Sequence, residues 1–334
     1  MARFSEHGPR APVTEAIRVD KVNPRARALR RFIALIAVVV AVAMLIPVLV
    51  MGITAFKTRT DILASPPKVL FKPTLEGFVY LLFDRAIATQ SRLAELEQNA
   101  KAGKLGLLDR IALQAGMEIT GPSDYVFRLR NSVIITGIST VFSVLLGLFA
   151  AYAFSRFKIP GKGDLLFFIL STRMLPAVVV TIPLFLMYRQ LGLYDRHLGM
   201  ILLYIAFNLS FSVWLLKGFI DEIPKEYEEA ALVDGYTRLQ AFFRVVLPQA
   251  ATGIAATTVF CLIFAWNEYA FALMLTSERA RTAPPSIATM LGSGGLEWSA
   301  IAAGSLGFLI PVVIVTFALR KYLLRGITFG AIRG

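Results

Sequence analysis

The sequence predicts an all-α polytopic membrane protein of about six transmembrane helices, with both termini on the inner side. Three observations carry this reading. The 334 residues are 56% hydrophobic, with a mean hydropathy of +0.65, values of a chain whose solvent is lipid. About six apolar runs are long enough to cross a bilayer as helices. The charge is also lopsided, 35 Lys+Arg against 22 Asp+Glu. In a membrane protein such an excess is first a topology signal.

Taken in order, residues 1–31 form a basic polar tail, too long and too Arg-rich for a cleaved signal peptide. Arg25, Arg27, Arg30 and Arg31 stand directly before the first span and fix it N-inside. That span covers 32–56, with Pro47 as a kink. Residues 57–130 make a long outer loop. In it, Ser65 to Phe83 reads as extended chain followed by a short apolar helix. A solvated helix is expected over Ala86 to Ala102. Further spans follow at 131–154, 165–187 (interrupted by Pro176 and Pro183), 198–216, 250–275 and 301–324.

The inner loops carry Arg156, Lys158, Lys162, Lys217, Lys225, Arg238, Arg244, Arg320, Lys321, Arg325 and Arg333 besides the tail. The short outer loops carry Arg189, Arg196, Arg279 and Arg281. The bias supports both termini inside.

Between the fourth and fifth spans lies a polar island, 220–249. Pro224 suits a first helical turn. Lys225 to Asp234 reads as one short helix, ended by a left-handed Gly235. Thr237 and Gln240 form a capping-box pattern that starts a second helix, and Pro248 closes it. Ala230, Ala231 and Gly235 keep the bend small enough for close approach of another surface, with Glu229 beside them. Helix–turn–helix geometry could also serve DNA. Glu226, Glu228, Glu229 and Asp234 would then face phosphate with the wrong sign, so nucleic acid is not an expected partner.

The spacing of this island resembles the EAA motif of ABC importer permeases: Glu229, Ala230, Ala231, then Gly235, then Val245 in place of Ile, then Leu247 and Pro248. From 131 to 334 the chain resembles the carbohydrate-uptake, MalG-like branch. The segments 131–158, 182–195, WNEYAFALMLTS (266–277) and the tail RGITFGAIRG (325–334) carry that likeness, and the wording is similar to polyol, glycerol or glycerol-phosphate members. Two features depart from the pattern: Ser210 stands where Pro is common, and the segment near 84–122 is longer than usual.

The resemblance implies a permease subunit in a bacterial inner membrane, paired with a second homologous permease. Two ABC ATPase subunits would sit below it and a periplasmic substrate-binding protein above. It implies that Glu229, Ala230, Ala231, Asp234, Gly235, Leu247 and Pro248 couple the chain to the ATPase. It implies as well that Gly326, Thr328 and Gly330 reach toward the ATPase dimer. ATP and Mg would sit on the partner ATPase subunits, with no cofactor on this chain.

Independently of the resemblance, the sequence holds no G-x-x-x-x-G-K-[ST] phosphate loop, one cysteine (Cys261) and two distant histidines (His7, His197). No catalytic or metal cluster is expected. Pathway candidates rest on chemistry. Arg173 is a charge inside the third span, costly there unless it faces a cavity or a partner, and Glu268 is the partner the sequence offers. Trp266, Asn267, Glu268 and Tyr269 combine aromatic faces with amide and carboxylate groups, the chemistry that binds sugars. Asn208, Ser210 and Trp214 form a weaker set of the same kind. The bland alternatives are an aromatic belt and interhelical hydrogen bonding. Gly137, Gly147, Gly304 and Gly307 read as helix packing. The rival readings are a stand-alone secondary transporter or channel, and an ABC importer for a non-carbohydrate solute.

Overall fold

The computed structural model describes residues 24–66, 68–114, 116–292 and 295–330. Residues up to Val50 form one unit and those from Met51 on form a second. Helix α1, Pro24–Ala55, is an unbroken apolar run behind a basic start. At 1.5 Å per residue its length exceeds the roughly 30 Å of a bilayer core.

In the second unit, α2 (Arg59–Ile62) and α3 (Glu76–Leu82) lead into a segment the sequence reading mistook. The helix expected over 86–102 begins later, as α4 (Gln90–Lys101), and α5 (Leu107–Gln114) follows it. The two are enclosed by an antiparallel pair, β1 (Phe83–Ile87) and β2 (Met117–Pro122). Arg85 on β1 bonds the buried Glu297 carboxylate at 2.9 Å, and Arg59 reaches the same oxygen at 3.5 Å. The strand is thus pinned by a partner more than two hundred residues away, which local helix propensity cannot report.

Helix α6 (Tyr125–Arg156) is the second span and starts six residues earlier than expected. The third span is a bent pair. Helix α7 (Lys162–Ser171) and a 3-10 turn at Thr172–Met174 meet α8 (Ala177–Gln190) at 92°. The break falls at Leu175 and Pro176, both extended, as the residue before a proline prefers. Pro183 stays inside α8 without breaking it.

Helix α9 (His197–Asp221) is the fourth span. The polar island gives α10 (Glu226–Val233), α11 (Arg238–Ala241), a π-helical turn at Phe242–Val246 and α12 (Leu247–Gln249). Helix α13 (Ala251–Trp266) then leaves at 73°. It stops at Trp266 instead of running to 275, and α14 (Ala270–Leu275) restarts after a three-residue break. The cause is Glu268, whose carboxylate accepts the N–H groups of Phe271 (2.8 Å) and Ala272 (3.0 Å) and so caps a new helix start. Helix α15 (Ala283–Ala288), a short β3–β4 pair (Leu291–Gly292 with Gly295–Leu296) and α16 (Trp298–Gly330) complete the chain.

Four helices among the described residues are long and apolar enough to cross a membrane, and the count reaches six if each bent pair is one span. Helices α6 and α9 pack closely because Gly147 has no side chain: a Cβ there would overlap Ser212. Gly304 and Gly307 likewise admit Leu81 and Tyr125. Gly137 faces open space, so the packing role read from sequence does not apply to it. One core cluster, including Leu148, Tyr152, Leu216, Ile220, Phe242 and Val246, lies where α6, α9 and the π turn meet. It seats the polar island.

Candidate functional site

The island is a rigid body built by local rules. Glu226, Glu228 and Glu229 crowd the first turn of α10, where the helix dipole favours negative charge. Gly235 takes φ +87°. Its N–H bonds Leu232 O at 3.1 Å and the Tyr236 N–H bonds Ala231 O at 3.0 Å, a Schellman closure. The capping box is reciprocal: Gln240 N–H to Thr237 Oγ1 at 3.3 Å and Thr237 N–H to Gln240 Oε1 at 2.8 Å. Pro248, with no N–H, sits just past the π turn at the start of α12, and the turn toward α13 follows.

Tertiary contacts hold the island to the spans. Glu228 is 6% exposed. Its Oε1 accepts Arg156 Nε–H and its Oε2 accepts the Tyr152 hydroxyl at 3.0 Å. Arg156 also donates to Ile223 O at 2.9 Å and to Ser155 Oγ at 3.0 Å. Ser155 in turn donates to Asp221 at 2.6 Å, and Lys217 bonds the other Asp221 oxygen. The Tyr152 ring lies 4.7 Å from that of Phe242. The ends of α6 and α9 and the first turn of α10 are therefore one connected polar network over an aromatic floor.

The residues predicted from sequence divide between two faces. Glu229, Ala230, Asp234, Gly235 and Pro248 are exposed, Leu247 is half-buried, and Ala231 is buried against its own chain. Ala231 is therefore a packing residue and not part of an open bend. The acid held by the fold is Glu228, not its neighbour Glu229. A side-chain row at 228 and 231, three apart, was the available signal. Exposed apolar side chains surround the small-residue bend: Tyr227, Val233 (87% exposed), Leu239 and Phe243. The island thus has an inward face locked to two spans and an outward face that is apolar and acid-edged.

Residues 143–329 match the model of the binding-protein-dependent transport system inner membrane component. The chain belongs to this family. The permease is 40% identical over 209 residues to the trehalose transport system permease protein SugB of Mycobacterium tuberculosis, covering 62% of this chain and 76% of that one. It is 29% identical over 313 residues to the trehalose/maltose permease MalG of Thermococcus litoralis, covering 93% and 99%. Its fold is similar to a chain of a bacterial ABC transporter that imports the acidic polysaccharide alginate, with TM-score 0.62, 20% identity and coverage of 90% and 98%. That likeness concerns the fold alone.

Within the permease the pathway candidates do not form one cluster. Trp266 is buried; its ring stacks on Phe308 at 4.7 Å and its N–H bonds Phe308 O at 3.1 Å. Asn208 donates to Cys261 O at 3.1 Å, joining α9 to α13. Glu268 accepts the Tyr204 hydroxyl at 2.9 Å as well as the α14 N–H groups. Arg173 does not pair with it. The Arg173 guanidinium lies 4.1 Å over Phe264 and 5.3 Å over Phe211 and donates to Phe207 O at 3.2 Å. Ser210 bonds Thr172 at 3.0 Å and Trp214 bonds Leu166 O at 3.0 Å, tying the bent span to α9. Asn267 and Tyr269 are exposed. The backbone of Gly326, Thr328 and Gly330 continues α16; residues 331–334 of the tail, and 1–23 of the basic segment, lie outside the described residues.

One site had no sequence signal. Asp195, at φ +52°, accepts the N–H groups of Ser277, Glu278, Arg279 and Ala280 at 3.0–3.2 Å and the Ser277 hydroxyl at 2.9 Å. Burial acts to raise its carboxyl pKa, but these N–H groups outweigh burial and hold it below the ordinary value. Asn131 donates to Arg279 O and Arg281 O at 2.9 and 3.0 Å, so the 277–281 loop is clasped from α6 and from the loop before α9. No group of three His, Cys, Asp or Glu among the described residues is placed to hold a metal.

Proposed function

We propose that this permease serves a binding-protein-dependent ABC importer for a sugar, sugar alcohol or related small carbohydrate. It forms the translocation pathway with a second, homologous permease. The 220–249 island docks on an ABC ATPase subunit, with the inner-facing orientation that the Lys/Arg bias favours. ATP and Mg bind the ATPase subunits, this chain holds no cofactor and catalyses no reaction, and a periplasmic binding protein delivers solute from the other side. The tail residues Gly326, Thr328 and Gly330 reach the ATPase dimer. The cell inner membrane is the setting.

The observation that carries this is the two-faced island. A chain without a phosphate loop receives motion from a partner. A short helix clamped through Glu228 and Arg156 to α6 and α9 can pass that motion into two spans as a rigid body. Its outer face, Tyr227, Val233, Leu239 and Phe243 around Gly235, is an apolar patch of the kind that marks a protein interface. Relatives named for trehalose and maltose transport support the carbohydrate class.

Co-purification tests the proposal. The tagged chain, gently solubilised from its host, is expected to bring an ATPase subunit and a second permease. A chain that emerged alone, and moved solute in liposomes without ATP, would overturn it in favour of a stand-alone transporter.

A further inference from the structure

An aromatic stripe runs along one face of α13. Phe260, Phe264 and Asn267 are spaced by four and three residues, as one helical face requires, and all three are exposed. Phe211 of α9 meets Phe260 at 5.6 Å and Phe264 at 5.2 Å. Above this stripe, at the break of the bent third span, sits Arg173. It is half-buried against ring faces. Its only hydrogen bond among the described residues goes to Phe207 O, and no carboxylate of the described residues lies within ion-pair distance. A guanidinium carries five N–H donors. A charge at membrane depth is costly unless it faces a cavity or an opposite charge. The two ring faces supply cation–π attraction but neutralise nothing.

We propose that Arg173 heads this subunit's wall of the solute pathway and that the wall takes a carbohydrate bearing an oxyanion: a carboxylate, sulfonate or phosphate. The inference rests on the permease reading above and adds the charge class of the solute. Ring faces at 260 and 264 meet the C–H faces of a sugar, and the Asn267 amide meets its hydroxyls. The guanidinium then has free N–H groups for a charge-assisted, two-pronged bond to the oxyanion. A neutral sugar satisfies those donors but leaves the charge uncompensated.

The test reads the local field directly. Cys261 is fully buried and is the one cysteine of the chain, so the unaltered chain is the unreactive background. Asn267→Cys is made in the full importer in membrane vesicles. Its labelling is followed by the mass of this chain, with an anionic and a cationic methanethiosulfonate reagent of similar size. A unit charge within about 10 Å shifts the local concentration of a monovalent ion by roughly two- to tenfold. The anionic reagent is therefore expected to be favoured. Arg173→Gln should lower the anion-to-cation rate ratio by roughly fivefold or more, and Arg173→Lys should restore it. D-glucuronate should slow labelling at a concentration where D-glucose does not.

Failure of Asn267→Cys to react with either reagent would place the stripe against lipid and overturn the proposal. So would a ratio indifferent to Arg173→Gln, as when a carboxylate of the second permease neutralises the guanidinium. Equal effects of the two sugars would overturn the ligand class. Phe260→Cys reads the same stripe one turn earlier should Asn267→Cys fail to assemble. Co-purification of the ATPase with the labelled chain separates these outcomes from failure of the permease reading itself.

Discussion

Glu228 and Glu229 are adjacent, identical in chemistry and opposite in circumstance. Glu228 is buried with Arg156, at 8% and 5% side-chain exposure, while Glu229 faces outward. Removing one member of a buried ion pair leaves an uncompensated charge and costs about 3–5 kcal/mol. Glu228→Ala should therefore lower the amount of folded permease in the membrane, as seen by immunoblot and size-exclusion profile. Glu229→Lys should leave that amount unchanged and abolish transport. Equal abundance of both variants would contradict the assignment of faces.

Asp195 makes a second prediction at this scale. Its folded pKa is lowered, so its contribution is complete above the unfolded value of about 3.9 and is lost only as pH falls through the lower folded value. Asp195→Asn removes the charge from four N–H bonds and should lower stability by about 1–2 kcal/mol, since bonds to a charged acceptor are worth up to ~3 kcal/mol but are screened at a half-exposed site. The difference in thermal midpoint between the two proteins should stay constant from about pH 8 to about pH 5. A difference that faded toward pH 5 would mean that Asp195 takes up its proton there, with its folded pKa raised and not lowered.

Among elements, those with a local cause were legible in the sequence. The Gly235 closure and the Thr237–Gln240 box involve residues three to five apart, so the pattern of residue types is enough to place them. The elements fixed by distant partners were not. The β1–β2 pair joins residues from Ile87 with Met117 to Phe83 with Pro122, far beyond local reach, and is tied to Glu297 through Arg85. The break in the fifth span depends on which groups Glu268 caps, and whether Arg173 and Glu268 pair was open on the sequence for the same reason. Burial of Glu228 depends on Arg156, seventy-two residues earlier in the chain.

Two element-scale predictions follow from these causes. Gly235→Asp forces a side chain into left-handed backbone, at about 1–2 kcal/mol, and places another negative charge on the outward face. Transport should be lost while membrane insertion is retained. Arg85→Ala should free the 83–122 segment, so that limited proteolysis cuts there first while the helical spans stay intact; an unchanged cleavage pattern would show that the segment does not depend on the Arg85–Glu297 pair.

For the whole molecule, the six apolar runs of the sequence became four single helices and two bent pairs. One bend lies beside Arg173, the other where the polar island meets α13. The bends let one chain carry a locked, two-faced island at one end and an aromatic stripe facing outward along its length. The central claim is that the outer face of the island is where this chain receives its driving motion. Site-specific photo-crosslinking from Val233, the most exposed apolar side chain of that face, tests it most directly. The account predicts an adduct whose second component is an ABC ATPase subunit. An importer that co-purifies intact but crosslinks from this position only to lipid or to another protein would contradict it.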